Sequence, residues 1–284
     1  MLAPIVFTSS DPSDYSFSKE VPWNVSSLTS EQWLTHPASL YGYSIFETTR
    51  TYQGKVLHLN SHLERLQKSA DILGWTLPSL EEIHTQIEQS YHMIYKWHPH
   101  LEMSVRWMWT HDAHWRLTFT LLDMDYPLCS LKVGRLIDPP NPANVLPRTV
   151  KHAHRFNWLH AVHTQGVDEV LLIDQQGFLL ESNRSAVMIV EEDQEGKLEF
   201  IFPSQHDQLL PSITRATFLK FAKNKGLSIS LKPIQNLTSC RAIYLLSSLK
   251  TMSWVSHLST HAFNPPPLEC LNLQKDFLQF YLQS

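Results

Sequence analysis

The residues best suited to chemistry lie in the run Val150-Lys151-His152-Ala153-His154-Arg155 and, downstream, at Glu181 in the stretch DEVLLIDQQGFLLES. A lysine amine adds to an aldehyde to form an imine and, when displaced, moves protons as a general base and acid. A carboxylate aimed at a ring nitrogen keeps that nitrogen protonated, and the ring then withdraws electrons. Lys151 follows a loop, and Glu181 follows a strand–turn–strand pattern, so both are placed where function concentrates. Alone the pair is a weak signal, because most lysines are solvated surface charges.

The 16 histidines raise a metal alternative. His111 and His114 are three apart, as are His160 and His163, while His152 and His154 are two apart. No HExxH or paired CxxC accompanies them, so they read as scattered surface and loop residues. Cys129, Cys240 and Cys270 are too widely spaced for a disulfide framework or a metal signature, which points to a reducing cytoplasm. A net charge of -4 and a pI near 6.5 give no footprint for nucleic acid or an anionic membrane. No apolar run is long enough to span a bilayer, and MLAPIVFTSSDPSDY does not read as a signal peptide. The composition, 43% hydrophobic and 18% charged, is that of a globular protein long enough for two domains.

The elements that must position these residues fall into two halves. The first forty residues read as irregular. SLYGYSIFETTRTYQGKVLHL reads as a hairpin turning at Gln53-Gly54. Ser61 with Glu64 predicts a capping box for a helix bearing Leu63, Leu66, Ala70 and Leu73, ended by Gly74. Ser79 with Glu82 repeats the box ahead of Ile83, Ile87, Tyr91 and Ile94. Strands follow near 101–109, where core packing is the reading for Trp107 and Trp109, and near 115–122. This predicts a smaller N-terminal α/β domain over 1–123 and a linker over 124–130. A larger C-terminal domain over 131–284 then carries the lysine. In it a strand at 131–137, a Pro/Asn-rich loop and a helix after Lys151 precede strands at DEVLLID, AVMIVE and KLEFIF. A helix from Pro211–Thr214 to Gly226, strands at LSISLKPI and RAIYLL, and an amphipathic C-terminal helix complete it. The fold class is α/β or α+β; periodicity alone does not separate them.

Four segments in order, YGYSIFETTR with HLERLQKSA, then VKHAHR, DEVLLIDQQGFLLES and LLPSITR, resemble the class IV (fold type IV) aminotransferases, which depend on pyridoxal 5'-phosphate. The resemblance implies a two-domain fold like that of D-amino acid aminotransferase and a homodimer acting on a small molecule. It makes Lys151 the cofactor-bearing catalytic residue and Glu181 the partner of the pyridine nitrogen. Arg65, whose guanidinium forks readily onto phosphate, becomes the phosphate arginine in place of a solvated helix arginine. Ile213 and Thr214 open a helix and offer N–H groups to the phosphate. Ser248 reads equally as a phosphate contact or as a turn serine at a strand end. Tyr41 and Arg106 are candidate substrate contacts. Arg155 reads equally as a substrate-carboxylate contact and as a structural ion pair.

The lysine's surroundings sort the subgroups. Phe156 stands where branched-chain and D-amino acid aminotransferases carry tyrosine, and KHxxR resembles 4-amino-4-deoxychorismate lyase. The leading expectation is therefore a lyase of folate biosynthesis releasing 4-aminobenzoate and pyruvate; the alternative is an amino-acid transaminase of branched-chain or D-amino acid type. Other departures bear on substrate rather than cofactor. Ser212 replaces the glycine of LPGxTR, Ala186 an asparagine, and Tyr43 an aspartate, and no RG turn follows the strand around Arg106.

Overall fold

The computed structural model describes residues 6–7, 23–122, 130–137, 147–192, 195–204 and 209–284. The expected linker, apart from Ser130, and most of the Pro/Asn-rich loop lie outside the described residues, as does Cys129. The chain forms two compact units, Met1–Met124 with Val150–Arg155, and Asp125–Thr149 with Phe156–Ser284. The lysine segment therefore packs with the first unit, although the sequence placed it in the C-terminal domain. Long-range backbone hydrogen bonds draw it there: Phe46 N–H donates to the Lys151 carbonyl and Ala153 N–H to that of Ser44, both at 2.9 Å.

The first unit contains β1 (Val6–Phe7), β2 (Trp23–Ser26), α1 (Ser30–Thr35), α2 (Pro37–Tyr41), β3 (Ile45–Tyr52) and β4 (Lys55–Val56). It continues with α3 (Leu59–Leu73), α4 (Leu80–Trp97), β5 (Met103–Trp109) and β6 (Trp115–Leu121). The strands form an antiparallel sheet in the order β1-β2-β6-β5-β3-β4. Among its described residues, the stretch read as irregular thus holds two short strands and two short helices, too brief to carry a periodic signal.

The hairpin turn at Gln53-Gly54 is present, with both residues at positive φ. The Ser79–Glu82 capping box is present in both directions. The Ser61–Glu64 box is absent. Helix α3 begins at Leu59 behind His58, which sits in the left-handed region with no side-chain cap. The hairpin returns so tightly, Leu57 N–H donating to the Arg50 carbonyl at 2.9 Å, that the helix starts ahead of Ser61. Leu63, Leu66 and Ala70 from α3 and Ile83, Ile87, Tyr91 and Ile94 from α4 bury against Val105 and Phe119 of the sheet. Trp107 and Trp109 share one strand face, and both enter this core while Arg106 points the other way.

The second unit contains β7 (Ser130–Ile137), α5 (Phe156–Gln165), β8 (Glu169–Ile173), β9 (Leu179–Ser182), β10 (Ala186–Glu192) and β11 (Leu198–Pro203). After these come α6 (Ile213–Lys225), β12 (Ser228–Lys232), β13 (Ala242–Ser247), β14 (Thr251–Leu258), β15 (His261–Ala262) and α7 (Leu268–Gln283). Its mixed sheet runs β12-β11-β10-β13-β14-β7-β8-β9, with β15 on β14. Helices α6 and α7 meet through Phe218, Phe221 and Phe277, whose rings lie 5.0 to 5.9 Å apart.

Candidate active site

Lys151 is placed by three segments that the sequence singled out separately. Its carbonyl is held by Phe46, and its amide N–H points to Ser69 Oγ at 3.4 Å. Gly42 makes the approach possible. Its φ is +67°, and a Cβ there would stand 3.1 Å from the backbone of His154. Only glycine accepts both the conformation and the closeness. The YG, SA and VKHAHR motifs are thus parts of one structure.

Three cations surround the Phe46 ring. The Arg106 guanidinium lies 4.1 Å from its centroid, the Lys151 amine 5.0 Å and the Arg155 guanidinium 5.1 Å. Such contacts are attractive within about 6 Å. Arg155 also donates from Nε to the His152 carbonyl at 3.2 Å. Tyr41, at the end of α2, is 70% exposed, and its carbonyl lies 3.4 Å from His154 Nδ1.

Arg65 is buried rather than solvated. Its Nε donates to Glu47 Oε1 at 2.7 Å and its Nη2 to Oε2 at 2.6 Å, with His62 Nδ1 2.7 Å from the same carboxylate. Glu47 and His62 are fully buried. Burial opposes the charge on Glu47, but Arg65 and His62 hold its carboxyl far below the usual range. Burial pushes His62 down to about 4, against the pull of Glu47. This Glu47–His62–Arg65 group escaped the sequence reading because its members come from a strand and a helix.

In the second unit, Glu181, the residue before the end of β9, is half-buried and lines a pocket with Ala186, Val187, Pro203 and Arg215. Arg215, inside the LLPSITR motif yet assigned no role there, stacks 4.9 Å from the Phe202 ring. Ser212 caps α6 by accepting from Arg215 N–H at 3.2 Å. The amides of Ile213 and Thr214 come first in that helix, where no carbonyl four residues back can take them. Ser248 lies in the turn between β13 and β14.

Residues 44–258 match the model of the family described as Amino-transferase class IV. The chain belongs to that family. A probable branched-chain-amino-acid aminotransferase of Rickettsia bellii is 27% identical over 236 residues, covering 74% of this chain and 76% of the relative. A bifunctional aminodeoxychorismate lyase / D-amino acid transaminase of Mycobacterium tuberculosis is 21% identical over 254 residues, covering 81% and 87%. The branched-chain aminotransferase of Thermoproteus uzoniensis, solved with norvaline, superposes with a TM-score of 0.74 at 17% identity over 92% of this chain and 94% of that one. The fold is that of the fold type IV aminotransferases, and the chain is a pyridoxal phosphate enzyme of class IV.

Within this class IV chain the departure at Ser212 has a structural account: the hydroxyl caps α6 where the family's glycine has none. Among the described residues no helix is long and apolar enough to cross a membrane.

The buried group predicts two stability effects. Arg65→Ala leaves the Glu47 carboxylate without its cation, and breaking a buried pair from one side costs roughly 3–5 kcal/mol. Urea unfolding of the cofactor-free variant checks this; a midpoint equal to wild type would mean that Glu47 has other support. The second concerns pH. His62 titrates near 6.5 when unfolded and near 4 when folded, so between those values only the unfolded chain takes up the proton. Stability is therefore complete above pH 6.5 and falls as the pH drops, by up to about 1.4 kcal/mol per pH unit. His152, pushed down to about 4 by burial and then by Arg155, acts in the same direction. Urea midpoints that do not move between pH 7.5 and 5.5 would refute this.

Proposed function

We propose that this enzyme is an amino-acid transaminase in which Lys151 would anchor pyridoxal phosphate covalently and the Glu181 carboxylate would keep its ring nitrogen protonated. Arg65, the Ile213 and Thr214 amides and Ser248 hold the phosphate. The donor set fits the group: an amine for an aldehyde, a carboxylate for a basic ring nitrogen, and a cation with helix-start amides for a dianion. When bound, the cofactor supplies an electron-withdrawing ring. Once the substrate amine has displaced it, the freed Lys151 amine would take the α-proton of the amino acid and return it elsewhere, as general base and acid.

The observation that carries the reading is the cation trio on Phe46. It gathers the Lys151 amine and the guanidiniums of Arg106 and Arg155 around one ring, the latter two being donors of the shape that binds a substrate carboxylate. The names carried by the relatives favour amino transfer of branched-chain type. The lyase reading is supported by KHxxR, by Phe156 and by the bifunctional relative. The reading includes a cytoplasmic homodimer; the exposed Leu34, Leu40 and Tyr41 of α1 and α2 are compatible with an interface.

A panel of branched-chain and D-amino acids with a 2-oxo acid acceptor, run beside 4-amino-4-deoxychorismate, tests the choice. Amino transfer without 4-aminobenzoate release is the expected result. The reverse outcome would restore the lyase.

A further inference from the structure

One buried charge pair lies outside the residues assigned above. Glu169, at the start of β8, is fully buried, and Lys250, in the turn between β13 and β14, is nearly so. Lys250 Nζ donates to Glu169 Oε1 at 3.1 Å. The same carboxylate accepts from the hydroxyls of Ser182 and Ser185, the latter at 3.0 Å. Ser182 Oγ in turn accepts from the backbone N–H groups of Arg184 at 3.1 Å and Ser185 at 2.7 Å. The loop directly after Glu181 is therefore built on Glu169. Lys250 lies two positions from Ser248 in the same turn, and its own amide is held by Ser247 Oγ at 3.3 Å.

Two features make this arrangement costly as packing alone. A buried ion pair rarely stabilises a fold more than apolar side chains of the same volume. Next to Lys250, Thr251 has φ +59° and is 1% exposed, with no hydrogen-bond partner for its hydroxyl among the described residues. A β-branched residue in the left-handed region is disfavoured by roughly 1–2 kcal/mol. A turn governed by local preference alone would place glycine there. Strain of this kind persists where surrounding contacts impose it, and it concentrates at functional sites.

We infer that Lys250 and Glu169 are positioning residues, whose ion pair fixes the turn bearing Ser248 relative to the segment bearing Glu181. The inference rests on the pyridoxal phosphate reading above. The cofactor is a rigid ring with a short phosphate arm, so a ring-nitrogen acid and a phosphate contact serve it only at one separation. The pair spans from the start of β8 to the start of β14, across β7, and ties the two segments through one carboxylate.

The test compares Lys250→Met, Glu169→Gln and the double variant with wild type. It reads urea stability of the cofactor-free proteins and the dissociation constant for pyridoxal 5'-phosphate by absorbance titration. Each single variant leaves a changed partner buried and loses stability, and the double variant regains most of it. Cofactor affinity is expected to stay at least tenfold weaker in the double variant, because the tether is gone although the fold has recovered. Wild-type affinity in the stable double variant overturns the inference and leaves the pair as packing. Should these variants not fold, Glu169→Asp keeps the charge and draws it back by one methylene; affinity unchanged there overturns the inference equally. Failure of the wild-type protein to develop the near-visible absorption of a lysine-linked cofactor overturns the underlying reading instead.

Discussion

Replacing Lys151 with alanine is expected to give a folded protein that never links the cofactor covalently and has no measurable amino transfer. The segment around residue 151 is held by its backbone, through the carbonyl taken by Phe46 N–H and the amide directed to Ser69. The side chain adds a cation near Phe46, an interaction of about 0.5–2 kcal/mol. Its loss leaves the fold intact. The chemistry has no such reserve. In the proposed site the amine is both the anchor and the group that carries the proton, and losing a group on which the whole catalytic unit depends costs on the order of a millionfold. Borohydride reduction followed by peptide mapping separates the outcomes. Wild type should carry the label at Lys151 and the variant nowhere; a label on Lys250 or another lysine would move the site.

The fold around the candidate site was partly legible in the sequence because local rules set some of it. The Gln53-Gly54 turn and the Ser79–Glu82 cap are contacts between near neighbours, which spacing reports directly. Lys151 and Glu181 stood out through the motifs around them. What could not be read is what the topology assembles. Glu47 appears in FETTR as an ordinary strand acid, and only the packing of α3 on β3 makes it the buried partner of Arg65. Glu169 and Lys250 look like solvated charges flanking apolar strands, yet they meet across β7. Strand β14 went unread because TMSWVSHL mixes polar and apolar residues on strongly buried positions. The Ser61–Glu64 pair matched a pattern that the tight exit from the hairpin overrode.

Glu181→Gln is expected to hold the cofactor with near-normal affinity and to lose most of the rate. Glutamine keeps the size of the side chain and a hydrogen bond, so the pocket with Ala186, Val187 and Arg215 stays filled. Glu181 is half-buried and is not part of the Glu169–Lys250 pair, which the substitution leaves in place. The phosphate grip assigned to Arg65, Ile213, Thr214 and Ser248 is untouched, which is why binding survives. What disappears is a negative charge able to keep the ring nitrogen protonated while electrons leave the substrate α-carbon. Removing a preorganised electrostatic group of this kind costs about 3 kcal/mol or more in the transition state, a fall of at least about a hundredfold in kcat. The variant's amino transfer is measured at saturating amino acid beside its cofactor occupancy by absorbance. A kcat equal to wild type at full occupancy would show that Glu181 does not face the ring. The acid would then have to be sought among other carboxylates of the second unit.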